Sequence, residues 1–525
     1  MKRPDTDYCD HVLYHLATSM SSGEIRRHEI EAHREVIEDL LLLDFEEVRE
    51  DLVGMYPSRP GGITPRDPVV MLRSVFLAVR LGKGRFNAWG RRLRGSAVLR
   101  IMLGLAPEAK APSIGAHYAF CRRVLHSCAD APQRSGELAR GHRGVFERAD
   151  LCNGRAGKPK APPQEGAVEQ MRRRLLAADT EGAFPRTLDG VLIDWLVRIG
   201  LRCLSNHGVL DQDSVTALDL AIDGTVHKSQ GRPGGRSLGG GDTTDGADVR
   251  VSSDPDATFR YSNGSRSLEF GHLGLAATIR IGVLDVPVLS ALAAPGQGET
   301  PAMMQALAHL HESLGRHAPN FRIRSLIGDA GFDAAGFYRF AHTLKADPIV
   351  ALNPSNVSVD PIWPRAHDGT TPLCAGGLEM KRHQRQGDSI VWRCPARCLQ
   401  RQPDGTKAWT FNAAVCPFAE SCTDAPLGPF LSLAVADNPR QNLPVPRHSP
   451  TFRTRMASRT SVERFFAHQH HAIPDRTWRR RHLWQIGCAM HALARQAAAV
   501  RATQRERLDQ FWAHVLPDDG LRRAA

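Results

Sequence analysis

The sequence has no uninterrupted hydrophobic segment of the kind that forms a signal peptide or crosses a membrane. The N-terminus, MKRPDTDYCDHVLYH, contains no apolar core, and the most apolar stretch, residues 273–295, is interrupted by Arg280 and Asp285. A disulfide framework is also lacking, because five of the 11 cysteines fall between Cys374 and Cys422. We therefore expect a soluble, unexported protein in a reducing compartment, with no membrane partner.

The composition excludes wholesale disorder, since apolar residues make up 42% and charged residues 24% of the 525 positions. A chain of this length has room for about two to four domains. Acidic residues are in the minority, 56 against 68 basic ones, which gives a formal net charge of +12. Such a basic surplus favours a polyanionic partner, for example nucleic acid.

Residues 1–150 are predicted to be mainly helical. Ser21 with Glu24 three residues later is a capping-box pattern, which predicts a helix behind it. Asp67 followed by Pro68 predicts a second helix start, with aspartate as N-cap and proline in the first turn. The first part of the chain is therefore expected to be an all-α domain.

The pattern changes after residues 154–170, which are rich in Gly, Pro and Lys and predict a linker. Strands are then predicted at 217–222, 273–281 and 286–292, followed by helix, strand, helix and strand. Three antiparallel strands followed by α/β alternation predict a mixed sheet with flanking helices, the ribonuclease H-like arrangement. The predicted divisions are a helical domain at 1–150, a linker and connecting helix at 151–212, an α/β core at 213–355, a cysteine-rich insertion at 356–450, and the second part of the core with basic helices at 451–525.

Three acidic residues are candidates for chemistry. Asp223 and Asp329 each directly follow a predicted strand, where α/β sheets commonly place ligand-binding groups, although either could simply form a turn. Glu463 lies near the start of a predicted helix, with Arg459 and His470 on the same stripe, and pairing with Arg459 on a solvated face is the alternative. Clustered carboxylates repel one another unless they hold cations. Two Mg²⁺ or Mn²⁺ ions would let such a cluster cleave a phosphodiester.

These residues lie in segments that resemble the three acidic motifs of bacterial insertion-sequence DDE transposases. The segments are AIDGT at 221–225, IGDAGFD at 327–333 and RTSVERFF at 459–466. Residues 65–105 are similar to the helical domain that precedes the catalytic core in that family. The resemblance implies a ribonuclease H-like core, with an N-terminal domain for DNA binding and end recognition.

The resemblance implies an enzyme that cuts the ends of its element and joins them to target DNA. Asp223, Asp329 and Glu463 would be its catalytic and metal-binding triad. The implied partners are double-stranded DNA, as terminal inverted repeats and target, and a second copy of the chain in a homodimer on DNA. The implied location is the cytoplasm, at the nucleoid. Two alternatives stay open, a catalytically inactive DNA-binding descendant and a nuclease that cuts without joining.

The family's signature around the glutamate is Tyr-x2-Arg-x3-Glu-x6-Lys. Arg459 and Glu463 match it, whereas Met456 stands at the tyrosine position and His470 at the lysine position. The resemblance makes Arg459 and His470 candidate DNA-contacting residues.

Positive charge is concentrated at the end of the chain, where residues 451–525 contain 14 Arg and 6 Asp plus Glu. Its densest part consists of Arg476, Arg479, Arg480 and Arg481. Arginines beside Trp478 and Trp484 are typical of a surface that follows a nucleic-acid backbone. The alternative is a solvated helix face with the tryptophans in the core.

The insertion contains two pairs of cysteines, which are Cys394, Cys398, Cys416 and Cys422. Four thiolates in two pairs suit a tetrahedral structural Zn²⁺ site. Buried or free thiols are the alternative.

Overall fold

The structure, a computed structural model, divides into two units. Unit 1 consists of the described residues within 1–216, 224–321 and 462–525, and unit 2 of those within 217–223 and 322–461. The described residues are 5–56, 66–82, 85–127, 144–148, 190–210, 216–231, 236–237, 248–252, 254, 257–262, 267–294, 297–353, 365–366, 370–412, 414–416, 418, 422, 428–474, 477–478 and 481–516. The predicted linker at 154–170 lies outside them.

The helices are α1 (Asp5–Ser21), α2 (Arg27–Glu31), α3 (Arg34–Leu42), α4 (Arg49–Gly54), α5 (Pro68–Arg80), α6 (Phe86–Arg94), α7 (Ala97–Met102), α8 (Ile114–Ser127), α9 (Gly190–Trp195), α10 (Arg202–Asn206), α11 (Glu299–His317), α12 (Ala335–Thr343), α13 (Pro450–Met456), α14 (Thr460–Ala472), α15 (Arg481–Thr503) and α16 (Arg505–Val515). A π-helical segment, Leu196–Leu201, joins α9 to α10.

The strands are β1 (Gly144–Arg148), β2 (Thr216–Lys228), β3 (Arg236–Ser237), β4 (Asp248–Ser252), β5 (Thr258–Ser262), β6 (Ser267–Ile281), β7 (Leu284–Leu292), β8 (Phe321–Gly328), β9 (Asp347–Val350), β10 (Lys381–Gln386), β11 (Ser389–Arg393), β12 (Arg397–Arg401), β13 (Lys407–Phe411) and β14 (Phe430–Ala434).

One of the two predicted helix starts is confirmed. The Oδ1 atom of Asp67 accepts hydrogen bonds from the backbone N of Val69 at 2.8 Å and of Val70 at 3.3 Å, and Pro68 opens α5. The capping box at Ser21 is wrong. Ser21 ends α1, and its hydroxyl donates to the Ala17 carbonyl at 2.9 Å. A serine hydroxyl can satisfy the end of a preceding helix as well as the start of a following one.

The later part of unit 1 combines strands with a central helix. β6 pairs antiparallel with β5 and with β7. The second half of β2 lies beside β6, where the backbone N of Ser229 donates to the Phe270 carbonyl at 3.0 Å. α15 packs against β7 and α5 and is buried along nearly its whole length. A helix that is buried on all sides is a core element, and α15 is the centre of this unit.

Unit 2 contains the first half of β2 together with β8 and β9. β8 and β9 run parallel, and α12 and α13 follow β8 and the insertion respectively. Ile327 and Ile349 from the two strands pack with Val445 and Phe452. Met456, at the tyrosine position of the family signature, packs against this cluster and is half-buried. In this chain Met456 therefore contributes to packing.

The cysteine-rich insertion forms two small antiparallel sheets within unit 2. β10, β11 and β14 form one of them, and β12 pairs with β13 in the other. Ile390, Trp392 and Leu433 belong to a buried cluster of their own. In unit 1, β1, β4 and β3 form a further small sheet.

The predicted elements β2, β6, β7, α11, β8, α12 and β9 occur in the expected order, but β3, β4 and β5, which were not predicted, lie between β2 and β6. The protein is mixed α/β, with N-terminal helices and a mixed sheet. The predicted end of β2 at Asp223 and Gly224 is wrong, because the strand continues to Lys228. The domain divisions stay a prediction, and each unit combines segments from several of them.

Candidate active site

The register of β2 against β8 determines where the two candidate aspartates lie. The strands are neighbours in the sheet. The backbone N of Thr216 donates to the Asn320 carbonyl at 2.9 Å, and further along both strands Arg324 Nε donates to Asp219 Oδ1 at 2.8 Å. Contacts that advance in the same direction on both strands indicate parallel pairing.

Continuing this register by four residues brings Asp223 beside Gly328, the residue before Asp329. Asp223 therefore lies beside the end of β8, although β2 itself continues to Lys228. Asp223 and Asp329 are both half-buried. Unit 2 thus presents two partly exposed carboxylates from adjacent strands, and their predicted catalytic role stays a prediction.

A charged network holds β2, β8 and β9 of unit 2 together. Asp219 accepts hydrogen bonds from Arg324 and from the hydroxyl of Ser325. Arg455 donates to Ser325 Oγ at 3.0 Å and to Asp347 Oδ2 at 2.7 Å. Burial would raise the pKa of Asp219, but the hydrogen bonds from Arg324 and Ser325 outweigh it and hold the pKa below its ordinary value. This network stabilises the register described above.

Asp329 caps a short 3₁₀ turn immediately after β8. Its Oδ1 accepts a hydrogen bond from the backbone N of Gly331 at 2.8 Å. Its second oxygen accepts no hydrogen bond from the part of the chain that the structure describes. The cap orients the carboxylate and leaves one oxygen available as a ligand.

The second aspartate of the same motif, Asp333, is a structural residue. It is 1% exposed and accepts hydrogen bonds from Tyr338 Oη at 2.6 Å, from the backbone N of Asn353 at 2.7 Å, and from Arg440 Nε and Nη2 at 2.9 and 2.6 Å. Burial would raise the pKa of Asp333, but the hydrogen bonds from Arg440 and Tyr338 hold it below its ordinary value. Because both of its oxygens accept hydrogen bonds, Asp333 fixes the loop that follows Asp329.

Glu463 lies in the first turn of α14, on an exposed face of the helix, in unit 1. Two other side chains anchor the helix. Gln469 Nε2 donates to Ser290 Oγ at 3.3 Å, and Arg464 Nη2 donates to Asp285 Oδ1 at 2.8 Å. Both partners belong to β7, so they fix the rotation of α14 about its axis. The predicted helix around Glu463 is confirmed.

His470 reaches β2 within unit 1. Its Nε2 lies 3.3 Å from Thr225 Oγ1, and its ring centroid lies 5.1 Å from that of His227. His227 is 1% exposed and stacks on Trp484. Since side chains on a strand alternate between its two faces, Thr225 and His227 share the face of Asp223. The histidine at the lysine position is thus directed towards the strand of the first aspartate.

Glu299 is a carboxylate near this strand that the sequence analysis missed. A Cβ atom built on Gly224 would lie 2.6 Å from Glu299 Oε1, so the carboxylate packs against the bare backbone next to Asp223. Glu299 is half-buried and begins α11. The signal in the sequence was Gly224 itself, because glycine inside a strand often marks the close approach of another group.

The predicted DNA-contacting arginines have different outcomes. Arg459 is half-buried in a 3₁₀ turn before α14. Arg476, Arg479 and Arg480 lie outside the described residues. Arg481 is only 5% exposed, and its guanidinium donates to the carbonyls of Ala293 and Leu292 at 3.2 Å each. Arg481 therefore satisfies the end of β7 and is not on a surface that DNA could reach in this structure.

The predicted zinc ligands are partly brought together. Cys394 and Cys416 are buried in one cluster with Ala396, whereas Cys422 is exposed. The side chain of Cys398 lies outside the described residues. Two of the four cysteines therefore meet, as the zinc hypothesis requires and as the buried-thiol alternative also allows.

The donor chemistry at Asp223 and Asp329 fits a hard divalent cation, since both are carboxylates and one oxygen of Asp329 accepts no hydrogen bond from a described residue. Across the described ranges, no group of three or more His, Cys, Asp or Glu residues is placed to hold a metal ion. Metal binding by the triad and by the cysteines therefore stays a hypothesis.

Comparison of the chain with protein-family models, with curated proteins and with solved structures finds no match in any of the three. None of the helices in the described part of the chain is long and apolar enough to span a membrane.

Proposed function

We propose that the chain is a DDE transposase that cleaves DNA at the ends of an insertion sequence and joins those ends to target DNA. Asp223, Asp329 and Glu463 are its proposed catalytic residues, with Mg²⁺ or Mn²⁺ as the cofactor. The proposed substrate is double-stranded DNA, bound by a homodimer inside the cell.

The observation that supports this proposal most is the register of β2 and β8, which brings Asp223 beside Gly328 and thus next to Asp329. The strand order agrees with a ribonuclease H-like core. β7 pairs with β6, β6 with β2, β2 with β8 and β8 with β9, so the third, second, first, fourth and fifth core strands follow one another across the sheet. In this arrangement Asp223 lies within the first strand, and Asp329 directly follows the fourth.

The residues of the chain have distinct proposed roles. Asp329, oriented by its hydrogen bond from Gly331, and Asp223 on the adjacent strand provide carboxylate oxygens as ligands. Bound divalent cations would activate a water or a 3′-hydroxyl and stabilise the leaving oxygen of the phosphodiester. Glu463 is the third proposed acidic residue, and it lies on α14 of unit 1, whose rotation is fixed by Arg464 and Gln469.

His470 is proposed to position α14 against β2. Its contact with Thr225 connects α14 to the part of β2 that belongs to unit 1. This contact gives His470 a role that differs from the phosphate contact implied by the family's lysine. His470 is thus proposed as a positioning residue.

The experiment that tests the proposal is strand cleavage of linear DNA that carries the sequences flanking the gene. Purified full-length protein with Mg²⁺ should produce cleaved ends and, with a target plasmid, joined products. Cleavage without joined products would favour the nuclease alternative. The absence of cleavage in wild-type protein that binds the same DNA would favour the inactive descendant.

A further inference from the structure

Unit 1 contains a cavity of about 700 Å³ that the proposed chemistry does not use. α6, α8, the end of β2 and the start of α15 contribute to its wall. The lining residues on which the argument rests are Arg85, Arg91, Tyr118, Arg122, Gln230 and Trp478. The volume lies within the range of about 300–1,000 Å³ that is usual for small-molecule sites.

Positive charge is concentrated in the described lining of this cavity. Arg85, directly before α6, and Arg91, within it, are both exposed, and Ala88 lines the cavity between them. Neither side chain makes a hydrogen bond or ion pair with any residue that the structure describes, whereas Arg92 on the same helix contacts His33. The described lining includes no Asp or Glu. The exposed guanidinium groups of Arg85 and Arg91 are therefore suited to binding a phosphate.

A third arginine lies deeper in the same wall. Arg122 on α8 is half-buried. Burial and the positive charge of neighbouring Arg123 lower the pKa of Arg122. An anion in the cavity would offset both effects.

The rest of the wall is aromatic and held in place. Trp478 is 5% exposed, and its ring packs so closely on Gly487 that a Cβ atom there would lie 2.2 Å from two ring atoms. Trp478 also meets Trp484 edge-on, with ring centroids 5.2 Å apart. Its carbonyl accepts a hydrogen bond from the backbone N of Gln230 at 3.1 Å. The indole is therefore a pre-formed apolar wall.

Polar side chains beside this aromatic wall provide further hydrogen-bonding groups for a ligand. Tyr118 packs edge-on against Phe86, and burial raises the pKa of Tyr118, so its hydroxyl remains a donor at neutral pH. Gln230 and Asn87 add amide groups, which can both donate and accept hydrogen bonds. A ligand with a phosphate, a planar ring and polar ring edges matches these features.

We infer that this cavity binds a nucleoside monophosphate group, with the phosphate at Arg85 and Arg91 and the base against the wall formed by Tyr118 and Trp478. The group comes either from a free nucleotide or from the 5′-phosphorylated end of a DNA strand. The inference rests on the cavity alone and does not depend on the proposed function.

The test is calorimetric titration of the full-length protein with dAMP, with deoxyadenosine and with a 5′-phosphorylated tetradeoxyadenylate. dAMP should bind saturably, and deoxyadenosine should bind at least tenfold more weakly, because it lacks the phosphate. Arg91→Gln should weaken dAMP binding about tenfold, which corresponds to one charge-assisted hydrogen bond. The matched control is Arg94→Gln, which removes the same charge from the same helix outside the cavity.

Tighter binding of dAMP than of the tetranucleotide would assign the site to free nucleotides, and the reverse would assign it to strand ends. The inference is overturned if neither ligand binds at millimolar concentration. It is also overturned if Arg91→Gln and Arg94→Gln weaken binding equally, because the attraction would then be general surface charge.

Discussion

Replacing Asp333 with asparagine is expected to destabilise unit 2. The carboxylate is 1% exposed, and its Oδ2 accepts hydrogen bonds from the Asn353 backbone N and from Arg440 Nη2. An amide NH₂ at that position cannot accept either bond, so two buried donors lose their acceptor. At roughly 1–3 kcal/mol for each unpaired donor, we expect a loss of about 3 kcal/mol. For a unit of this size, that loss lowers Tm by roughly 6–12 °C.

The matched control is Asp329→Asn in the same motif. Asp329 accepts one hydrogen bond, from Gly331, and asparagine can accept it as well. We expect its free energy of unfolding to change by less than about 0.5 kcal/mol, although activity should be lost. Thermal unfolding followed by circular dichroism compares the two variants. Equal Tm values for wild type and Asp333→Asn, or equal losses in both variants, would refute the distinction between a structural and a catalytic aspartate.

The same variant has a predictable pH dependence. Because the pKa of Asp333 in the folded protein is held below its ordinary value, its contribution is complete at neutral pH and is lost as the pH falls below about 4. The difference in stability between wild type and Asp333→Asn should therefore narrow in acid. Urea unfolding at neutral pH and near pH 3 measures it, and a difference that widens in acid would contradict the direction of the shift.

Three further predictions follow from other parts of the structure. Elemental analysis of protein purified without chelators should find about one Zn²⁺ per chain, and substituting any of Cys394, Cys398, Cys416 and Cys422 with serine should remove it; a metal-free protein with four reactive thiols would contradict this. His470→Ala should reduce DNA cleavage without lowering Tm, whereas His470→Lys retains a donor for Thr225 and should preserve cleavage. Equal cleavage by wild type and both variants would exclude a positioning role. Gly271→Ala should destabilise the protein by about 1–3 kcal/mol, because its Cβ would lie 2.1 Å from the backbone carbonyl oxygen of His227, whereas Gly336→Ala, which has open space in α12, should be neutral or stabilising; similar unfolding curves would refute the close approach.

Periodicity predicted the core strands well, for a physical reason. Leu218 and Leu220 are buried in β2, whereas Ala217 and Asp219, which alternate with them, are half-buried. Such alternation reports one buried face and needs no knowledge of distant neighbours. The same alternation does not locate the acidic residues, since Asp329 directly follows β8 whereas Asp223 lies within β2.

The structure differs from the sequence-based predictions where contacts between distant residues decide the outcome. Asp-Gly favours a turn locally, yet β2 continues because β6 pairs with its second half and Glu299 packs against Gly224. Arg481 belongs to a charged run that is typical of a surface, but the carbonyls of Ala293 and Leu292 give its guanidinium a buried site. Both outcomes depend on residues that are distant in the sequence.

The most direct test of the proposed function is the effect of Glu463→Gln on Mg²⁺-dependent cleavage of DNA that carries the flanking sequences. The substitution keeps the size of an exposed side chain in α14 and removes its charge, so folding and DNA binding should match wild type. If Glu463 belongs to the catalytic triad, cleavage and joining should both fall below detection. Cleavage at the wild-type rate by a variant that binds DNA normally would contradict the assignment.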